Sequence, residues 1–431
     1  MSSPLLERIA GEHAALADSL PGGAVSRARR RRALDALLTS GLPTSRDENW
    51  RYANLRPLER MRFAPATVAA DASSLDPASL PASVPGFVRY VFVDGVFSPE
   101  ASIAAGAQVP GARVSMGAPG PVAAESGEPR SETAFALLNE AFATGGLRIE
   151  VEDSERAPRI EVVFIASASA QTGATAARHG ASYPRLSIVA APHARLELIE
   201  RHVSVGDEPN FVDSMVDVRA HDGSRIEHYR LQQLGTRALW MDTLTASVAR
   251  SAVYRLHGFA LGAQSARSTL NVRLEGEGSE LALHAVAAAD RQQVLDTHAI
   301  VEHAAPHTRT DESFRGVAAG RSRVAFNGKI IVQPGSHGAD SSQSLRGLLA
   351  GAEAEIDVRP QLEIYTDEVR CSHGATAGKL DDAMLFYLLS RGLDRNTAQR
   401  LLKWAFLEDV VSRVPVTELR RQIEASLASR L

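Results

Sequence analysis

Only one cysteine, Cys371, occurs in the 431 residues. The chain therefore closes no internal disulfide and cannot build a zinc or cluster site from its own cysteines alone. Aromatic residues are also scarce: 13 Phe, 7 Tyr and 3 Trp amount to 5% of the chain. A core at this composition has to be made from Val, Leu, Ile and Ala. No apolar run approaches the roughly 18 residues that a membrane-spanning helix needs. The opening stretch MSSPLLERIAGEHAALADSL carries acidic residues and no sustained apolar segment, so it reads as neither signal peptide nor anchor and a cytoplasmic location is expected. There is little excess charge of either sign, net −4 with a pI near 6.4, hence no global pull toward nucleic acid or an anionic membrane. His-Glu-x-x-His and Gly-x-x-x-x-Gly-Lys-[Ser/Thr] are both missing, which removes the usual signs of a zincin or a P-loop nucleotide hydrolase.

What the chain does have is ordered in three regions. Residues 1–146 read as a mixed, largely helical region with Ala- and Pro-rich linkers at 64–86 and 104–130, and a hairpin from Val88 to Ser98 around Asp94-Gly95. Its basic run Arg27, Arg29, Arg30, Arg31 and Arg32 falls within a helical pattern and reads as a solvated helix face. Residues 147–375 carry short alternating strands. Residues 376–431 return to helical periodicity, with Asp381 and Asp382 at a helix start and Gly392 at a stop.

The middle region repeats. Strands begin after a small residue at Ala194, Ser224, Ser251, Ser279, Ser322 and Ala354. All but one of the intervals are close to 30 residues; the long one holds a His-rich stretch and reads as an enlarged loop. A unit this short cannot bury its apolar face alone and must stack on copies of itself. The fold expected is mainly β: a right-handed parallel β-helix (solenoid) between helical amino- and carboxy-terminal regions, the latter serving as a cap. An antiparallel sandwich is the rival, disfavoured by the spacing and the few Asp-Gly turns.

Among candidate site residues, Cys371 and His373 form Cys-x-His, which a strand would present on one face. Thiolate and imidazole both suit iron, but two ligands are too few for a closed site. From the residues alone, a buried structural cysteine beside a capping histidine is the better reading. His298, His303 and His307 match neither one strand face nor a helical pair, and read as solvated or hydrogen-bonded loop histidines. The Ser336-His337 and Ser372-His373 pairs lack an acidic orienter for hydrolase chemistry.

Two dense segments then carry a resemblance. Residues 360–376 (PQLEIYTDEVRCSHGAT), followed by Gly378-Lys-Leu-Asp-Asp and Phe386-Tyr-Leu-Leu-Ser-Arg-Gly, resemble the SufB/SufD family of iron–sulfur cluster assembly scaffolds. So do Phe326-Asn-Gly-Lys-Ile and, near the amino terminus, Pro43 to Tyr52 (PTSRDENWRY). The lone cysteine favours the SufD branch over the longer, cysteine-richer SufB branch. The resemblance implies a β-helix core, pairing with a SufB-like scaffold, and docking of a SufC-like ABC ATPase onto the carboxy-terminal helices, here about residues 380–414. A homodimer in isolation also fits it. It implies no enzymatic turnover, and transient iron or a nascent iron–sulfur cluster shared with the partner. A flavin is expected, if at all, only in the assembled complex. It also turns the reading of His373 toward metal binding, with Cys371 either assisting or buried. Pairing with the partner is expected by strand addition at the last coils, about 322–365. A β-helix enzyme acting on polysaccharide and an inert solenoid adaptor are the alternatives; no cluster of carboxylates or sugar-stacking aromatics supports the former.

Overall fold

A computed structural model describes residues 4–65, 80–103, 109–117, 133–153, 156–167 and 179–431. It is mainly β, 46% strand and 23% helix, wound as a β-solenoid of about seven turns between terminal helices. Each coil gives one strand to each of two facing sheets, of ten and eleven strands, and coil pairs with coil in parallel and in unbroken register. In the ten-stranded sheet, strands begin at Arg195, Arg225, Val253, Glu280, Arg309, Asp340 and Arg370.

The repeat has a backbone cause. Two residues before each of those seven strands the chain passes through a left-handed conformation, at His193, Gly223, Ser251, Gly278, His307, Gly338 and Glu368. Where a histidine and a glycine occupy successive turns they pack against each other: a Cβ on Gly338 would lie 2.3 Å from the His307 ring nitrogen, so the turn above needs glycine below it. The residue between turn and strand, such as Ala194, Ser224, Ala252 or Ser279, is fully buried, which accounts for the small residues in the repeat.

The long interval in the repeat is not an enlarged loop. From Ser279 to Ser322 the chain runs through one whole coil and then half of another, because Arg323–Val332 and Glu355–Ile364 belong to the eleven-stranded sheet while the earlier starts belong to the ten-stranded one. The His-rich stretch supplies the strand Val294–His303 inside that interval.

The amino-terminal end is closed by antiparallel strands. The expected hairpin forms, Val88–Val93 with Val96–Ile103, turning at Asp94 and Gly95, both with positive φ. In the other sheet Ala112–Gly117 pairs antiparallel with Gly146–Val151, so part of the segment expected as linker is a strand. Residues 66–79, 104–108 and 118–130 of those linker segments lie outside the described residues.

Helices cover the flanks. Ala24–Ser40 packs on Ala134–Phe142, and the basic run is only in part a solvated face: Arg30 is buried and donates to the Ala143 carbonyl, and Arg29 pairs with Glu140. Pro43 to Tyr52 lies against the outer side of the eleven-stranded sheet, where Trp50 sits under the Arg267 guanidinium at 4.6 Å and Tyr52 under that of Arg323 at 5.0 Å. Glu48 pairs with Arg359 at 2.5 Å. At the other end of the chain, Arg395–Val411 and Thr417–Ala428 bury Leu407, Val410, Val411, Leu419, Ile423 and Leu427 against Tyr229, Leu231, Phe259 and Val286 on the outside of the ten-stranded sheet. These helices line a side of the solenoid and do not cap its end. Asp381 caps the preceding helix, Asp382–Ser390, by accepting from the amides of Ala383 and Met384 at 2.8 and 3.0 Å.

Candidate functional site: the open last coil

The last two strands, Glu355–Ile364 and Arg370–Lys379, each have a single neighbour in their sheet. Ile356, Val358, Leu362 and Cys371 are only partly buried against the core, so the hydrophobic interior is incompletely covered at this end. The amides of Glu355 and Tyr365 donate inward to Ser322 and Val332 carbonyls, both at 2.9 Å. Since amides along a strand alternate in direction, the even-numbered amides between them face the open edge, where Pro360, which has none to offer, also stands. On the other strand the Arg370 amide donates inward to Ala339 at 2.8 Å, which places the amides of Cys371 and His373 at the open edge.

Cys371 and His373 share one strand and one face, as their spacing predicts. The Cys371 thiol is half-buried; burial pushes its pKa up and the Asp340 charge adds to this, so in the lone chain it is not an activated thiolate. His373 is exposed. Among the described residues no three His, Cys, Asp or Glu side chains converge as a metal site, so these two remain a pair.

Behind them the interior is polar. Cys371 stands beside Ser341, which stands beside Thr310; His373 stands beside Gln343, which stands beside Glu312. Gln343 Nε2 donates to Glu312 Oε2 at 2.5 Å. Glu312 is enclosed and burial pushes its carboxyl up to about 7. Glu312 Oε1, Gln343 Oε1 and Ser341 Oγ are buried with no hydrogen-bond partner.

The three histidines of the His-rich stretch are not brought to this site. His298 and His303 lie on a strand rather than a loop, and their odd separation sends them to opposite faces. His303 points into the core between Thr308 Oγ1 and Thr310 Oγ1, at 2.7 and 3.0 Å, and burial pushes it down to about 4. His298 lies on the outer side; burial, then the Arg267 charge, pushes it down to about 3. His307 is an exposed turn residue whose ring meets that of His337 edge-on at 5.2 Å.

A second polar cluster escaped the sequence reading. Midway along the interior, Arg230 pairs with Glu200 and Asp242 through four hydrogen bonds of 2.8 to 2.9 Å. His202 and His228 reach the same Glu200 carboxylate at 2.7 and 3.0 Å, and Ser214 and Ser268 donate to Asp242, both at 2.8 Å. Burial acts to raise the Glu200 carboxyl, but Arg230 and the two imidazoles outweigh it and hold it well below the usual range. The available signal was polar residues in the inward register of an alternating strand: Glu200 and His202 in RLELIERHVS, His228 and Arg230 in RIEHYRLQQ.

With this geometry established, comparison with known proteins is informative. The family model for the SUF system FeS cluster assembly SufBD core domain matches residues 172–406. The iron–sulfur cluster assembly protein SufD of Escherichia coli is 30% identical over 405 residues, spanning 92% of this chain and 91% of that protein. An iron–sulfur cluster assembly SufBD family protein of Synechocystis is 25% identical across 93% of this chain and 90% of its own length. A SufBD family protein of Mycobacterium leprae is 30% identical over a shorter stretch, 43% of this chain and 50% of its own.

Proposed function

This chain belongs to the SufBD family of iron–sulfur cluster assembly proteins, and from that premise we propose that it is a non-catalytic scaffold subunit of the SufD type, working in the cytoplasm. Its three parts would be an amino-terminal region (1–146), the solenoid (147–375) and a carboxy-terminal helical region (376–431). Iron, sulfide or a nascent cluster is its cargo. The observation that carries this reading is the uncovered last coil with Cys-x-His at its open edge. A strand added from a SufB-like scaffold would satisfy the amides there and cover the half-buried apolar residues. It would also bring sulfur ligands that a chain with one cysteine lacks. His373 would then contribute a neutral nitrogen ligand, and Cys371 a thiolate if the partner's approach offsets the burial that now raises its pKa. A SufC-like ABC ATPase would dock on the helix Asp382–Ser390, whose Met384, Phe386 and Tyr387 are exposed. The experiment is co-expression with the neighbouring scaffold and ATPase, followed by iron and sulfide analysis of complexes matched for stoichiometry. His373→Ala should assemble normally and lose most of the iron and sulfide. Wild-type cluster levels in that variant would leave Cys-x-His with a structural role only and favour an inert adaptor.

A further inference from the structure

The amide of Gln343 is committed at one end and idle at the other. Its nitrogen donates to Glu312 Oε2 at 2.5 Å, while its oxygen, equally buried, has no partner. Glu312 Oε2 accepts from the amide nitrogen, and at pH 8, where this carboxyl is mostly ionised, it can only accept, so the nitrogen faces Glu312 and the oxygen faces away from it. The space is shaped for this orientation. A Cβ on Gly328, in the facing sheet, would stand 2.3 Å from Gln343 Nε2, so glycine there is what admits the amide. The next residue in the same inward row is His373, one strand spacing on, about 4.8 Å. It lies on the strand that still lacks an outer neighbour.

We propose that Gln343, held by Glu312, is the positioning residue for His373: its free oxygen accepts the N–H of the imidazole once a partner strand closes the last coil. A neutral imidazole carries one proton on either nitrogen, and only the bare nitrogen can bind metal. With Gln343 Oε1 accepting the inner N–H, the outer nitrogen keeps its lone pair and faces the open edge. Without that acceptor both tautomers are populated and part of the population presents N–H to the metal. The buried oxygen gains the partner it lacks, and the exposed ring gains a fixed orientation. This inference rests on the reading of His373 as a ligand, but its principal test does not.

That test is nitrogen NMR of the histidine-labelled chain in complex with its unlabelled scaffold partner, at pH 8, with His373→Ala identifying the resonance. The wild type should show a single His373 tautomer. Gln343→Leu, similar in size and without polar atoms, should show a mixture near that of free imidazole. Gln343→Glu keeps an acceptor oxygen and should restore the single form. Glu312→Gln, which leaves size unchanged but no longer dictates which end of the Gln343 amide faces inward, gives a milder mixture and serves if the leucine variant does not fold. A single unchanged tautomer in Gln343→Leu overturns the inference, as does the same tautomer in Glu312→Gln if that variant has to stand in. In parallel, anaerobic Fe(II) titration of the complex should show affinity falling about 10- to 100-fold in Gln343→Leu, while in a chain that already carries His373→Ala the Gln343→Leu change should cause no further loss. Additive losses would mean that Gln343 acts independently of His373 and would also overturn it. If His373→Ala alone left iron affinity unchanged, the ligand reading would fail, while the tautomer measurement would still decide the part assigned to Gln343.

Discussion

Two polar clusters among the described residues of the solenoid interior treat their buried carboxylates differently. Midway, Arg230 is enclosed by Glu200 and Asp242, and imidazoles and hydroxyls complete the hydrogen bonding of both carboxylates, although His202 Nδ1 is left without a partner. Near the last coil, Glu312, Gln343 and Ser341 are as deeply enclosed, yet each keeps an oxygen without a partner. Burying a charge is tolerable when it is paired and fully hydrogen-bonded, and costly otherwise. The midway cluster follows that rule and has the character of a structural pin. The terminal one departs from it beside an edge that is itself unfinished. The two ends of the solenoid differ in the same sense: antiparallel strands close the first, and nothing among the described residues closes the last.

The largest effect that would break this comparison is removal of the midway cation. Arg230→Met leaves two buried carboxylates without their cation and should cost about 3–5 kcal/mol, read as a fall in the urea midpoint at unchanged slope. A loss under about 1 kcal/mol would mean that the network is solvated and not a pin.

At the terminal cluster the corresponding change should have the opposite sign. Glu312 has a folded pKa of about 7 against an ordinary 4.5, so the folded state favours its protonated form. Its contribution is therefore fully present below about pH 4.5 and is lost as pH rises through about 7. The full difference is on the order of 3 kcal/mol. Glu312→Gln removes this dependence: relative to wild type it should be more stable at pH 8 than at pH 5 by about that amount. Equal stability differences at the two pH values would show that Glu312 finds partners in solution.

These clusters also mark how much the sequence could disclose. The coil length, two strands per coil and the face shared by Cys371 and His373 were legible, because alternation and small turn residues recur locally. The sheet to which each strand belongs was not: Ser279 and Ser322 begin similar strands on opposite sheets, and only a count of left-handed turns separates them. Nor could the sequence show that His303 is a satisfied core residue, since its partners Thr308 and Thr310 lie across a turn. Gly328 sits in a recognisable motif, Phe326-Asn-Gly-Lys-Ile, yet the reason for the glycine is Gln343, on the facing sheet.

Edge direction is likewise a matter of strand parity, and it sets a smaller, more selective effect. Ile364 is 42% exposed and its amide falls on the open side of its strand, whereas that of Glu363 falls on the inner side. Ile364→Pro should therefore leave the monomer within about 1 kcal/mol of wild type and weaken pairing with the partner scaffold in a pull-down or by ultracentrifugation. Glu363→Pro should damage both, because it removes an internal ladder bond. If the two variants weakened pairing equally and spared the fold equally, the partner would not add a strand here.

The smallest expected change in stability belongs to the bare face of the carboxy-terminal helices, which lies beside a covered one. Leu407 is fully buried on the ten-stranded sheet, and Leu407→Ala should cost about 2–5 kcal/mol through cavity formation. Deleting the last helices to test ATPase docking would therefore strip Tyr229, Leu231 and Phe259 of their cover and confuse docking with unfolding. Phe386, 72% exposed, gives the cleaner test. Because Phe386 is mostly exposed, Phe386→Asp should leave stability within about 0.5 kcal/mol of wild type. An aromatic anchor lost from a docking face commonly costs about 2 kcal/mol or more of binding, so co-purification of the ATPase should drop sharply. Undiminished ATPase in the Phe386→Asp complex would move the docking site off the helix Asp382–Ser390.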